Sequence, residues 1–143
     1  MSDTFTLSLS KTYTSTPHEL FSRIEDGTLF DLTGADEITF YFKEDGAFSL
    51  LFIDRGEIFG TIKKIIPNEK VEMIWNVTGF DKPEERNTEL VLSMELTEEN
   101  KTWFSVLNTG IKHKDAFEAK ERAWKEILED LQKELLPNTN NTK

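Results

Sequence analysis

The sequence predicts an α+β fold in which a curved antiparallel sheet of six to seven strands closes around one long C-terminal helix. Three observations carry this. Between residues 37 and 109 apolar side chains recur at every second position, interrupted at short intervals by turn chemistry. Within that stretch, segment 60–75 reads as two alternating strands joined at Pro67-Asn68-Glu69, with Val71, Met73 and Trp75 on one face. After residue 115 the period becomes helical and holds to residue 136, a span of roughly 33 Å if wholly helical.

The elements follow in order. Phe5, Leu7 and Leu9 alternate with Thr6, Ser8 and Ser10, as in a half-buried strand. Thr16-Pro17-His18-Glu19 is a helix start: Thr16 can accept an orphan amide hydrogen bond, Pro17 is preset for the first helical position, and Glu19 can reach back to the Thr16 amide. Leu20, Phe21 and Ile24 form the apolar side of this short helix, which Asp26-Gly27 ends or kinks. Residues 28–33 read as a further turn or two of helix, with Leu29, Phe30 and Leu32 packed inward.

The strands come next. Ile38, Phe40 and Phe42 alternate, and the Lys43-Glu44-Asp45-Gly46 turn leads to Phe48, Leu50 and Phe52. Residues 57–66 and 71–78 flank the Pro67 turn. The polar segment 79–86 interrupts pairing before Leu90, Leu92, Met94 and Leu96 alternate. A turn at 98–101 leads into 103–109, and Gly110 is expected to end the sheet. Strands joined consecutively by short turns pair antiparallel, a sheet of this size twists, and an amphipathic helix is its natural cover.

In that helix Phe117, Trp124, Ile127, Leu128, Leu131 and Leu135 share one side, with Ala116 and Ala123 letting the backbone approach. Lys120 interrupts the stripe, and its stem is expected to lie along the edge with the ammonium in water. Asp115 is the expected N-cap. Glu118–Arg122, Glu121–Lys125 and Glu129–Lys133 are i,i+4 pairs in the favourable orientation. Pro137 is the expected stop, making residues 1–136 one domain and 137–143 a disordered tail.

Composition narrows the function. Net charge is −10, from 17 Lys+Arg against 27 Asp+Glu. Nucleic-acid binding runs on cations that displace phosphate counterions, so this balance argues against it. Anionic membrane surfaces are disfavoured for the same reason. There is no cysteine, and so neither a disulfide framework nor a thiol nucleophile. No apolar run approaches the roughly 20 residues that span a bilayer, and the first residues lack a signal-peptide pattern; a cytoplasmic protein is expected.

The chain resembles the Aha-type domains of the START-like (SRPBCC, Bet v 1-like) superfamily, named for an activator of the 90-kDa heat-shock chaperone's ATPase. The resemblance spans residues 5–136. It rests on Asp45-Gly46-Ala47-Phe48, on the gapped Gly60…Pro67-Asn68-Glu69…Val71…Trp75 block, and on Leu92-Ser93-Met94-Glu95-Leu96. Phe104-Ser105-Val106-Leu107-Asn108-Thr109-Gly110 and the terminal helix with Trp124 complete it. Members often carry a Trp pair where this chain has Leu32-Thr33, a His in place of Asn108 and a Gly in place of Asp45. The resemblance implies a helix-grip fold with a cavity between sheet and helix. It implies no single activity, because that scaffold hosts lipid carriers, cyclases and co-chaperone domains.

His18 stands in an exposed first helical turn and His113 in a Lys-rich connector, neither with a nucleophile in view. Asp81, Glu84, Glu85, Glu98 and Glu99 lack the alternating oxygen ligands of a calcium loop and are expected to be solvated. Glu72, Asn76 and Glu95 are expected to face outward. No metal site and no cofactor is expected. Phe40, Phe48, Met73, Trp75, Phe104 and Trp124 either fill the core or line a cavity, since ligand sites are mostly apolar with a few fixed polar groups. Asn108 would supply such a group if it shares a face with Phe104 and Val106, because a buried amide must find hydrogen-bond partners.

The expected function is non-enzymatic binding of a small hydrophobic or amphipathic molecule by a monomer or weak dimer. A co-chaperone docking on the 90-kDa heat-shock ATPase, through the acidic surface and the Phe80 loop, is the alternative. A cyclase or dehydratase would have to work with Asn108, Ser105, Tyr13 or Tyr41.

Overall fold

The computed structural model describes residues 4–97 and 101–135. Along the chain the order is β1 (Phe5–Tyr13), α1 (Pro17–Glu25), α2 (Thr28–Asp31), β2 (Glu37–Phe40), β3 (Ala47–Phe52), β4 (Gly56–Ile66), β5 (Lys70–Gly79), β6 (Glu85–Leu96), β7 (Thr102–Ile111) and α3 (Lys114–Leu135). The strands form one sheet in the order β1-β7-β6-β5-β4-β3-β2, every neighbouring pair antiparallel. Irregularities at Phe5/Leu7, Ile62/Lys64 and Trp75/Val77 bend the ribbon, as bulges do. Helix α3 packs closest against β1 and β7 on the concave side. This is the helix-grip arrangement.

Local chemistry explains the elements. The Thr16 hydroxyl accepts from the Glu19 amide at 3.1 Å, and the Glu19 carboxylate accepts from the Thr16 amide at 2.8 Å, so both halves of the capping box form. Leu20, Phe21 and Ile24 are buried under α1, and Leu29 and Phe30 under α2. Alternation places Phe48, Leu50 and Phe52 of β3, Val71, Met73 and Trp75 of β5, and Phe104 and Val106 of β7 in the core. Tyr13 closes the β1 end by donating to the Leu128 carbonyl at 2.7 Å. Thr102 ties the start of β7 to the Ser15 carbonyl at 2.5 Å.

Several expectations are corrected. Helix α3 begins at Lys114, one residue ahead of Asp115, and the Phe117 amide donates to the His113 carbonyl; Asp115 is in the first turn, not the cap. Gly110 does not end the sheet: at φ 84° it lets β7 run on to Ile111, which pairs with Phe5. Phe42 lies beyond β2, which stops at Phe40. Glu121 pairs with Lys125 as expected, whereas Glu118 meets Lys114, Glu129 meets Lys11 and Lys133 meets Asp130. Leu96 leaves the buried face and is exposed, where β6 pairs only with the start of β7. The turn at 98–100, Leu136, Pro137 and the tail to residue 143 lie outside the described residues.

Gly60 shows how tightly the middle of the sheet is drawn together. It pairs with Phe48 on one side and Trp75 on the other, whose rings meet 5.3 Å apart. A Cβ at this position would lie 1.8 Å from the Ile74 carbonyl oxygen, a backbone atom that cannot step aside. Gly60→Ala should therefore destabilise the fold by about 3 kcal/mol, the upper end of overpacking penalties. Urea unfolding measures it; a loss below about 1 kcal/mol would contradict this close approach.

Candidate ligand-binding cavity

A run of aromatic rings crosses the interior and ends at a hollow. Phe30 packs on Phe40 at 4.8 Å and on Phe48 at 5.4 Å, Phe48 on Trp75, and Trp75 on Trp124 of α3 at 6.2 Å. Beyond the two indoles lies a cavity of about 290 Å³ between α3, β3, β4, β5 and the loop after β5. Ala116, Ala119 and Ala123 form its helix wall, and Phe52, Ile58, Val77 and Phe80 face them. Leu32 and Thr33 after α2, with Lys82 and Pro83, complete it. Because α3 packs on β1 and β7, its alanine-rich flank stands off the other half of the sheet and leaves space.

Of the sequence-predicted residues, Trp75 and Trp124 line this cavity. Phe40, Phe48, Met73 and Phe104 do not: Phe48, Met73 and Phe104 are buried in the core, Phe104 against Tyr13 at 6.2 Å, and the half-buried Phe40 packs against that core. Asn108 does share the buried face with Phe104 and Val106, but it reaches the cavity only through a neighbour. Its side-chain amide donates to the Glu89 carbonyl at 2.8 Å, and its oxygen accepts from Lys120 Nζ at 3.1 Å.

Lys120 is the main correction. Its ammonium does not sit in water: the residue is 9% exposed and its side chain lines the cavity. Position 120 lies one turn from Trp124 on the covered face, and the Asn108 oxygen offers the head an acceptor there. The signal was legible as a pair, a lysine in an apolar helical stripe and an asparagine on an apolar strand face.

Glu85 is also corrected. It is wholly buried rather than solvated. Its carboxylate accepts from the Lys112 amide at 2.9 Å and from the His113 amide at 2.8 Å, and it meets His113 Nδ1 at 2.8 Å. It thus fastens the β7–α3 connector to the start of β6. Asn76 is buried too. At the bulge after Trp75 its side chain donates to the Phe59 carbonyl and accepts from the Asn87 amide, bridging backbone groups the ladder leaves over. Tyr41 is exposed, the Tyr13 hydroxyl is engaged by Leu128, and Ser105 alternates away from the core face, so these three do not converge with Asn108. His18 contacts Asn68 at the surface. Among the described residues no group of acidic and histidine side chains is placed to hold a metal ion, and no helix is long and apolar enough to cross a membrane.

A second concavity, about 760 Å³, is an open groove between the α1 start, the β4–β5 turn and the ends of β6 and β7. Its walls mix the polar Thr16, His18, Asn68, Glu69 and Lys70 with Pro17, Ile66, Met94, Leu96 and Trp103, and Leu96 and Trp103 are exposed.

Comparison with known proteins agrees with this architecture. The family model described as Activator of Hsp90 ATPase homolog 1-like protein matches residues 17–136. The chain belongs to that family. Among solved structures it is similar to an Hsp90 activator from Plasmodium falciparum, at 20% identity and TM-score 0.73, covering 91% of this chain and 95% of that one. It is likewise similar to the Aha1 dimer from Colwellia psychrerythraea, at 20% identity and TM-score 0.71, covering 90% and 93%. DynU16, a putative protein of the dynemicin biosynthetic locus, matches at 10% identity and TM-score 0.72, covering 96% of this chain and 48% of that one. At these identities the likeness is one of fold. No curated sequence matches the chain.

Burial pushes the Lys120 ammonium down to about 8 from 10.5, against the opposing pull of the Glu85 carboxylate. Between those values the unfolded chain holds more protons than the folded one, so stability rises with pH in that window. Below pH 8 the cost of the buried charge is fully present. The unfolding free energy of the wild type minus that of Lys120→Met should therefore climb from pH 8 to 10, on the order of 1 kcal/mol per pH unit at its steepest. Urea titrations at stepped pH measure the difference, and a flat profile would place the ammonium in water.

Proposed function

We propose that this protein is a non-enzymatic carrier or sensor that takes a small apolar molecule into the cavity beneath α3. The observation that supports the reading is the cavity wall itself: two indoles, three alanines and a set of Phe, Ile and Val side chains around about 290 Å³. That volume is at the small end of the ~300–1,000 Å³ of ligand pockets, and its lining is of the usual apolar kind. Nothing in the wall pairs a nucleophile with a base, which supports binding over chemistry.

Native-state binding raises stability by mass action, by about 2.7 kcal/mol at a hundredfold excess over Kd. A panel of small aromatic and aliphatic compounds should include members that raise Tm by several degrees. Ala119→Phe, which fills the cavity from the helix side, should abolish the rise while leaving the unliganded fold intact by circular dichroism. Equal shifts in wild type and Ala119→Phe would move binding elsewhere.

Family membership supports a second reading, docking on an Hsp90-type chaperone. Net charge of −10 and the half-buried Phe80 in the loop after β5 are the features such docking would use. Stimulation of the cognate chaperone's ATPase by the purified protein, lost on charge reversal of the acidic surface, is the expected outcome. No change in ATPase rate would remove this reading and leave the first untouched.

A further inference from the structure

The cavity wall is mostly apolar, with Thr33, Lys82, Lys120 and Glu126 as its polar members. Lys120 is the buried one among them; its ammonium has three N–H donors and, among the described residues, makes one hydrogen bond, to the Asn108 oxygen. Asn108 is in turn held by the Glu89 carbonyl, so its oxygen cannot swing away without breaking that bond. The charge partner within reach through space is Glu85, yet both Glu85 oxygens are already engaged by Lys112 and His113. The result is a fixed cation with donor capacity to spare, facing an apolar hollow.

We propose that the ligand of this cavity is a small amphipathic acid whose carboxylate docks on the Lys120 ammonium while its hydrocarbon part lies between Trp75, Trp124 and the alanine flank of α3. The inference rests on the reading of the hollow as a ligand site and adds the chemical class of the guest. Ammonium–carboxylate hydrogen bonds are charge-assisted and about twice as strong as neutral ones. The lysine is buried and its ammonium is already held by Asn108, so the guest gains the interaction without ordering a flexible side chain. The cavity rim carries one charge of each sign, Lys82 and Glu126, both exposed. Their opposite signs leave Lys120 to set the preference of the interior.

Matched probes test it. Decanoate and 1-decanol have the same chain and differ in the head, and isothermal titration at pH 7 compares them. Wild type should bind decanoate about tenfold or more tightly than 1-decanol. Lys120→Met and, as a polar replacement, Lys120→Gln should lose that preference through weaker decanoate binding, with 1-decanol affinity held within about threefold. Lys133→Met, which removes an exposed lysine outside the cavity wall, should keep the preference. Equal binding of the two probes by wild type, or a preference that survives in Lys120→Met and Lys120→Gln, would overturn the assignment while leaving the apolar site in place. Wild type binding neither probe would overturn the ligand site along with it.

Discussion

One helix has to cover the inside of a seven-stranded sheet, and it is not wide enough. Strands about 4.8 Å apart make such a sheet roughly 29 Å across before it curls, whereas a helix with its side chains is about 10–12 Å wide. Every other feature of the interior answers this mismatch. Helix α3 sits on β1 and β7, where Tyr13 binds the Leu128 carbonyl and Leu128 and Leu131 are buried. At the far side, α1 brings Phe21 to Phe42, just past β2, and α2 brings Phe30 to Phe40 of β2 and Phe48 of β3. Between these two fillings the chain supplies alanines, and the hollow is what remains.

Polar groups inside the protein are each placed to answer a particular demand of the backbone. Glu85 meets two amides of the β7–α3 connector, Asn76 spans the bulge after Trp75, and Thr88 donates to the Trp75 carbonyl at 2.8 Å. Leaving such groups unmatched costs about 1–3 kcal/mol apiece. No buried side-chain nitrogen or oxygen among the described residues is without a partner. Lys120 differs from the others because its single bond satisfies Asn108 more than it satisfies itself. A buried cation that the fold does not fully use costs stability.

The element order is legible in the residues because each strand buries one face and therefore alternates, as Phe48, Leu50 and Phe52 do. The start of α1 is legible because Thr16 and Glu19 have the chemistry of reciprocal capping. The cavity is not, and the reason is physical. Alternation says that Phe48, Met73 and Phe104 point inward but not whether another side chain meets them there. That depends on where α3 sits across the sheet, which no local pattern encodes. Asn76 escapes for a related reason: alternation sets it opposite Trp75, facing out, until the bulge after Trp75 turns it inward. Glu85 reads as a loop acid until the two amides it serves, 27 and 28 residues further on, are brought beside it.

The pairing of β1 with β7 also has a bearing on how the molecule comes to be. Strands β2 to β7 zip in succession, each to the one just made, but β1 finds its partner only across a chain length of about ninety residues. Closing so long a loop is entropically slow to gain its reward. On the ribosome the first strand must wait, one edge open, until the penultimate element has emerged, and the helix that seals the interior comes later still. A chain halted before residue 102 would lack the template on which its own beginning settles.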